Sequence, residues 1–371
     1  MSDKRPVVLY GASGFSGRLV AEFLREYKVP FIAAGRDRDK IEDVLAHVPG
    51  ISTADYEVAQ VAHEVDALAE LFDGARVVCN AVGPCFRYAP TVVDAALKAG
   101  CHYLDTGGET PWVRRASEEW GARFAERGLL LAPATAYMSA TAEIAAQIAI
   151  ESAPGIDTLE ILSMFKGNPS YGSTQTVYGQ LVYESIYLED NEYRTWPPLT
   201  VLEVTIPGSI TTHAALLWGG FPHPVWFKNH PQIANVRSFG GILDPVIMQG
   251  VIAGERDYVE KLKPLPLEDQ ERILSELAAA AQSATPPREN RHENRTVDVV
   301  MGRGNLETAH VIVHGTGAYL QTGLIQAFAA HHLMLAPPLA TGFASPGAAF
   351  GHMRLLGTLE SYGFVRLKVV S

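Results

Sequence analysis

At 371 residues the chain is too long for one ordinary hydrophobic core, so two domains are expected. Its 47% hydrophobic and 19% charged residues read as globular, and a formal net charge of −11 excludes broad attraction to phosphate backbones, so no nucleic-acid partner is expected. Cys79, Cys85 and Cys101 lack CxxC spacing, which points away from a metal site. The polar Met1–Arg5 runs directly into an apolar strand with no leader-like segment, so a reducing, cytoplasmic setting is expected.

No apolar run reaches the roughly 20 residues of a membrane span; Leu324–Phe350 comes nearest, and His331, His332, Pro337 and Pro338 break it. The first 135 residues alternate strand and helix signals. Strands are predicted at Pro6–Tyr10, Pro30–Ala34, Ala54–Val58, Arg76–Ala81, His102–Asp105 and Leu129–Ala132. Helices are predicted at Gly17–Tyr27, Arg38–His47 with Asp37 as its cap, Val65–Phe72, Pro90–Ala99 stopped by Gly100, and Trp112–Arg127 ending at Gly128. This alternation implies a doubly wound parallel sheet of Rossmann type.

Beyond Thr135 the rhythm changes. A helix is predicted at Ser139–Ile150, then short strands rich in aromatics, prolines and threonines from Asp157 to Gly250, which suit a mixed or antiparallel sheet. Leu267–Gln282 reads as a helix, Ser283–Arg295 as an exposed loop, and Thr296–Met301 with Ala309–His314 as a hairpin. Gly317–Leu333 and Phe350–Tyr362 read as helices and Phe364–Val370 as a last strand. The expected fold class is therefore α/β: a Rossmann doubly wound parallel sheet over 1–135, followed by an α+β region with a mixed or antiparallel sheet.

The segment Gly11-Ala12-Ser13-Gly14-Phe15-Ser16-Gly17 follows the first strand and opens an amphipathic helix. Its glycines permit the tight turn, the approach of backbone to a pyrophosphate and close packing of helix on strand; the helix N-terminus then offers N–H groups to phosphate, with Ser13 and Ser16 as hydroxyl donors. At the end of the second strand stands Gly35-Arg36 rather than an acidic residue. A guanidinium there suits the 2′-phosphate of NADP(H), the expected cofactor; the alternative is that Arg36 and Arg38 are solvated loop charges.

Short-chain dehydrogenases share this glycine spacing but need a tyrosine with lysine four residues on, and none of the fourteen tyrosines has one. The stretch Asn80-Ala81-Val82-Gly83-Pro84-Cys85-Phe86, followed by Gly100-Cys101-His102-Tyr103-Leu104-Asp105-Thr106-Gly107-Gly108-Glu109, resembles the saccharopine dehydrogenase-like family, including its trans-acting enoyl reductase-like members. Gly315–Tyr319 and Ala344–Gly351 resemble its closing segment. The resemblance implies that Asn80, Val82, Gly83, Pro84 and Asp105 lie along the cofactor. It also implies a Rossmann domain over 1–135 completed by 335–371, and an inserted α+β domain over 136–334 that supplies the substrate site and a homodimer contact. Asn80 and Asp105 also have plainer readings, as hydrogen-bonding and capping residues of their turns; Tyr88 and Glu109 are open in the same way.

A nicotinamide enzyme needs a proton donor beside the hydride. Tyr137, just after the sixth strand, is the first candidate and Tyr171 the second, ahead of Tyr178 and His213. Between Ser163 and Gly250 the cations are Lys166, Arg194, Lys228 and Arg237, against Trp196, Trp218, Trp226, Phe221, Phe227 and Phe239. That balance predicts a small-molecule, mostly apolar substrate, unless the aromatics build the sheet core or a dimer interface. The expected activity is NADPH-dependent reduction of an activated C=C bond. The alternatives are a saccharopine-type C–N oxidoreductase and a non-catalytic NADP-binding regulator.

Overall fold

The computed structural model describes residues 5–217, 221–282 and 285–370. Trp218 and the start of the loop expected at Ser283 lie outside them. Among the described residues the strands in chain order are β1 (Val7–Tyr10), β2 (Phe31–Gly35), β3 (Tyr56–Gln60), β4 (Val77–Asn80), β5 (His102–Asp105), β6 (Leu130–Ala132), β7 (Ile156–Lys166), β8 (Ile186–Glu189), β9 (Glu192–Thr195), β10 (Val201–Thr205), β11 (Thr212–Leu216), β12 (Asn235–Ile242), β13 (Arg295–Gly304), β14 (Thr308–Gly315), β15 (Gly342–Phe343) and β16 (Val365–Val370).

The chain divides into two units. One takes the chain through Gly108, Trp112–Ala140 and Tyr319–Leu359; the other takes Glu109–Pro111, Thr141–Ala318 and the chain from Glu360 on. The first is built on a parallel sheet in the order β15-β6-β5-β4-β1-β2-β3. β1 and β4 are buried along their whole length, which is why they read as continuous apolar runs rather than alternating ones. Strand order reverses between β1 and β4, and this switch point opens the crevice in which doubly wound sheets bind ligands.

The second unit is a mixed sheet in the order β10-β11-β12-β7-β13-β14-β16, with β8 joined to β12 and β9 to β8. Only the β7–β12 pair on that path is parallel. Leu162, Met164, Val297, Val299 and Ile312 alternate onto one face and form its core with Ile206 and Ala215. The β13–β14 hairpin forms as expected, from Thr296 opposite Gly315 to Arg303 opposite Thr308.

Four departures from the sequence expectations matter most for the fold. β16 does not complete the Rossmann sheet but pairs with β14, His310 opposite Val370, because its backbone groups find an open antiparallel edge there. The helix Ala318–Leu335, expected mostly in the inserted domain, belongs from Tyr319 to the first unit. It is buried nearly all round, and Gly323 lets it sit against the Leu19 backbone, 2.9 Å from where a β-carbon would lie. The helix expected from Pro90 starts at Cys85, because the chain enters it directly from an extended Pro84; Pro90 inside it forgoes one ladder bond. The region from Asp157 to Gly250 carries helices at Tyr171–Gly179, His223–Trp226 and from Pro245 to Asp257 among its strands.

Candidate functional site

The glycine loop follows β1 at the switch point. Gly11 has φ +89°, open to glycine and costly for other residues, and a β-carbon on it would lie 2.8 Å from Cγ2 of Val82 and 3.0 Å from the Ala81 carbonyl carbon. The turns after β1 and β4 therefore touch, and Val82 is part of that contact. Gly14 is the extended N-cap of the helix Phe15–Glu26 and donates to the Gly11 carbonyl at 3.0 Å. A β-carbon on Gly17 would lie 2.2 Å from that same carbonyl oxygen, so Gly17 is what lets the helix close onto the turn. No side chain caps this helix, so its first N–H groups stay available to an anion. Ser13 and Ser16 are half-exposed, and their hydroxyls have no protein partner among the described residues. The Phe15 ring is a packing anchor, edge-on to Tyr319 at 4.8 Å and beneath the Arg18 guanidinium at 4.4 Å.

At the end of β2, Gly35 is buried and admits Ile41 of the next helix, whose Cδ1 lies 3.2 Å from a would-be β-carbon. Arg36 is exposed and pairs with no carboxylate among the described residues, whereas Arg38 is held by Glu42 and the Val58 carbonyl. Asp37, the nearest acid, is spent as the helix cap expected of it, accepting from Lys40 N–H at 3.0 Å. The acid nearest this strand end is thus engaged as a helix cap, while the Arg36 guanidinium is not paired with a carboxylate among the described residues. Two neighbours had no motif to announce them: Tyr10, the last residue of β1, and His63, beyond β3, joined at 2.9 Å. Their only local signal is position, at the carboxyl ends of strands flanking the glycine loop.

The β4–β5 side is a buried hydrogen-bond frame. Asn80 donates to the Tyr103 hydroxyl at 2.9 Å and accepts from Val82 N–H at 3.0 Å, shaping the turn that leads to the cis Gly83–Pro84 bond. Gly83 is exposed and Pro84 half-buried at the mouth of this turn. Asp105 is fully buried. Its Oδ1 accepts from Gly107 N–H (2.9 Å) and Ala134 N–H (2.8 Å), and its Oδ2 from the Tyr103 hydroxyl (3.0 Å) and Trp112 Nε1 (2.8 Å). Asp105 therefore ties the turns after β5 and β6 together. Gln326 adds to this frame, donating to the carbonyls of Asp105 and Thr135 at 2.7 and 2.8 Å. Cys79 and Cys101 are buried, and burial pushes both thiols up to about 12.

Tyr137 lies half-buried in the first unit, with its N–H bonded to Thr322 Oγ1 at 3.2 Å. Tyr171 belongs to the second unit, is half-exposed and accepts from Gln175 at 3.2 Å. Tyr178 is half-buried on the same helix, and His213 Nε2 meets Ser209 Oγ at 3.0 Å. Glu109 is buried and accepts from Thr176 at 3.3 Å. Phe221 and Phe227 are core residues, and Trp196 packs on Tyr187 at 4.5 Å, so these aromatics serve packing first.

Residues 7–129 match the family model described as saccharopine dehydrogenase NADP binding domain, and residues 140–371 match a family of unknown function, DUF5938. The chain is 34% identical over 147 residues to a lipid droplet localized protein of Caenorhabditis elegans, covering 37% of this chain and 34% of that one. It is 35% identical over 119 residues to a trans-acting enoyl reductase of Mycobacterium leprae, covering 31% and 28%. The matches span about a third of the length of these curated relatives. Apo saccharopine dehydrogenase (L-Glu forming) from Saccharomyces cerevisiae shares the fold, with a TM-score of 0.60 at 11% identity over 99% of this chain and 100% of that one. Among the described residues no helix is long and apolar enough to cross a membrane. The chain belongs to the family of unknown function DUF5938, and its residues 7–129 are similar to the saccharopine dehydrogenase NADP binding domain.

Proposed function

We propose that the chain is an NADPH-dependent reductase of an activated C=C bond in an apolar enone or enoyl substrate. The observation that carries the choice of acceptor is how the cations of residues 163–250 are spent. Arg194 and Arg237 both lie against Glu189, at 3.8 and 3.6 Å, and Arg237 also covers the rings of Tyr187 and Trp196. Lys228 is held by Glu192 at 3.8 Å and by the Asn191 carbonyl. Lys166 remains, exposed. A polyanionic amino-acid acceptor, as a saccharopine-type C–N reaction requires, finds no cluster of free cations among the described residues of that stretch. The similarity to the trans-acting enoyl reductase of Mycobacterium leprae supports an enoyl acceptor.

Bound NADPH supplies the hydride. The helix N-terminus after Gly14 and the Ser13 and Ser16 hydroxyls hold the pyrophosphate, and Arg36 holds the 2′-phosphate. Tyr137, at the carboxyl edge just after β6, is the proton donor in this reading: its hydroxyl hydrogen goes to the substrate carbon next to the activating carbonyl, the hydride goes to the other alkene carbon as the C=C π bond breaks, and the tyrosinate takes a proton back from solvent. Tyr137→Phe is expected to lower turnover by roughly 10²–10⁴-fold with little change in NADPH affinity. Arg36→Ala is expected to weaken NADPH binding by about tenfold or more while leaving NADH binding unchanged.

NADPH oxidation across enones, enoyl thioesters, imines, ketones and amino acid–carbonyl pairs tests the reading. Turnover confined to the first two classes is expected. Turnover confined to amino acid–carbonyl pairs would refute it in favour of C–N chemistry. Tight NADPH binding without turnover on any class would refute it in favour of a nucleotide-binding regulator.

A further inference from the structure

Three neighbouring strands deliver Tyr10, Arg36 and His63 to one edge of the first sheet. Tyr10 ends β1 opposite Ala34 of β2, and Arg36 follows the last residue of β2. β3 runs beside β2 with Gln60 opposite Gly35, and Val61 N–H extends the pairing by donating to the Gly35 carbonyl at 2.9 Å, so His63 emerges beside Arg36. Tyr88, on the helix that follows β4, adds a fourth side chain. The rings interlock: Tyr10 Oη and His63 Nδ1 are 2.9 Å apart, their planes stack at 12° with centroids 6.0 Å apart, and Tyr88 meets the imidazole edge-on at 5.4 Å. Arg36 lies near enough for its charge to act on both Tyr10 and His63. Tyr10 occupies Nδ1, and among the described residues nothing in the protein is bonded to Nε2.

We propose that His63 is a second discriminating residue for NADPH: Tyr10 fixes its ring through Nδ1, and Nε2–H donates to the adenosine 2′-phosphate alongside the Arg36 guanidinium. The inference rests on the NADP reading of Arg36. A phosphate monoester carries about −1.5 to −2 charges at neutral pH, and one guanidinium answers only one of them. With Tyr10 donating to Nδ1, the neutral imidazole presents a hydrogen at Nε2; protonated, it donates from Nδ1 to the Tyr10 oxygen instead, keeps the hydrogen at Nε2 and supplies the second positive charge.

In the free protein, burial first and the Arg36 charge second hold the His63 imidazole below its ordinary value. The groups facing it are Tyr10 from β1, Arg36 after β2 and Tyr88 from the helix after β4, and the charge acting on it is that of Arg36. A dianion beside Nε2 reverses that balance and raises the bound-state value. Binding then takes up a proton. The added affinity is full below the free-state value and fades as pH rises through the bound-state value.

Calorimetric titration of the full chain with adenosine 2′,5′-bisphosphate and with AMP, from about pH 5.5 to about 8.5, tests this across the range in which histidine titrates. Wild type should prefer the bisphosphate. Its affinity for the bisphosphate, relative to that of His63→Gln, should rise from about one at high pH to about tenfold near pH 6, the scale of a charged hydrogen bond. AMP should bind both proteins alike, which shows that the variant is folded, and the phosphate's own titration cancels in the ratio. A ratio flat with pH, or an equal loss toward AMP, would overturn the role of His63 and leave the NADP reading standing. A wild type that binds both ligands equally would overturn that reading and this inference together.

Discussion

Gly17 lies in the third position of a helix, where replacing glycine with alanine ordinarily stabilises by about 1 kcal/mol. Here the sign should invert. The new β-carbon would stand 2.2 Å from the Gly11 carbonyl oxygen and 3.0 Å from Ala12 Cα, both backbone atoms that cannot rotate away. Gly11 cannot retreat, because it is pressed against Ala81 and Val82 at φ +89° and its carbonyl holds the Gly14 N–H. The helix must therefore lift by about 1 Å, at the roughly 1–3 kcal/mol typical of overpacking and with about 1 kcal/mol more if the Gly14 bond is lost. The helix-propensity gain offsets only part of this. Gly17→Ala should lose about 1–3 kcal/mol net, a fall of about 2–4 °C in Tm per kcal/mol for a domain of this size. The lift also withdraws the N–H groups from the phosphates, so NADPH should bind at least about tenfold more weakly. Gly357→Ala is the control: nothing lies within 4 Å of its would-be β-carbon, and the ordinary gain of about 1 kcal/mol should appear. Differential scanning calorimetry and NADPH fluorescence titration read both. A Gly17→Ala protein that melts at or above wild type and binds NADPH normally would refute the steric account of the loop.

Asp105→Asn puts an amide NH₂ against donors that now share a carboxylate oxygen, either Gly107 and Ala134 or Tyr103 and Trp112. A loss of about 3 kcal/mol is expected, measured as a lower denaturation midpoint. Asp298 is buried in the second sheet, with Ser163 donating to Oδ1 at 2.6 Å and Oδ2 unpartnered among the described residues. Burial raises its carboxyl to about 7, against smaller opposing hydrogen bonds from Ser163 and Thr141. Because the folded value lies above the unfolded one, the group's contribution is full below about pH 4 and is lost as pH rises to about 7, at about 1.4 kcal/mol per pH unit. The stability of Asp298→Asn relative to wild type should accordingly rise from about pH 4 to 7 and then level off; urea unfolding midpoints at several pH values check it.

Much of the first unit is written locally. Short apolar runs bounded by turns, Asp37 before a helical period and Gly100 at φ +78° after one each depend on a few consecutive residues, and the helix start at Asp37 and the helix end at Gly100 stand where they were expected. The glycine loop is legible for the same reason, since a turn, an N-cap and a close helix–strand approach are demanded within seven positions. Pairing choices are different in kind. Val365–Val370 has the same strand pattern whichever sheet it joins, and only the open edge of β14 settled the matter. The Ala318–Leu335 helix is apolar on every side, so no periodicity could say which core receives it. Asp105 collects donors as far along the chain as Ala134, and Tyr10 meets His63 across 53 positions. Such partners are selected by which strands lie side by side. Most element positions in the first unit and the glycine loop are set by neighbouring residues and were therefore legible in the sequence; what the buried polar groups and the strand edges pair with is set by the tertiary structure, because burial obliges each to find a partner wherever packing supplies one.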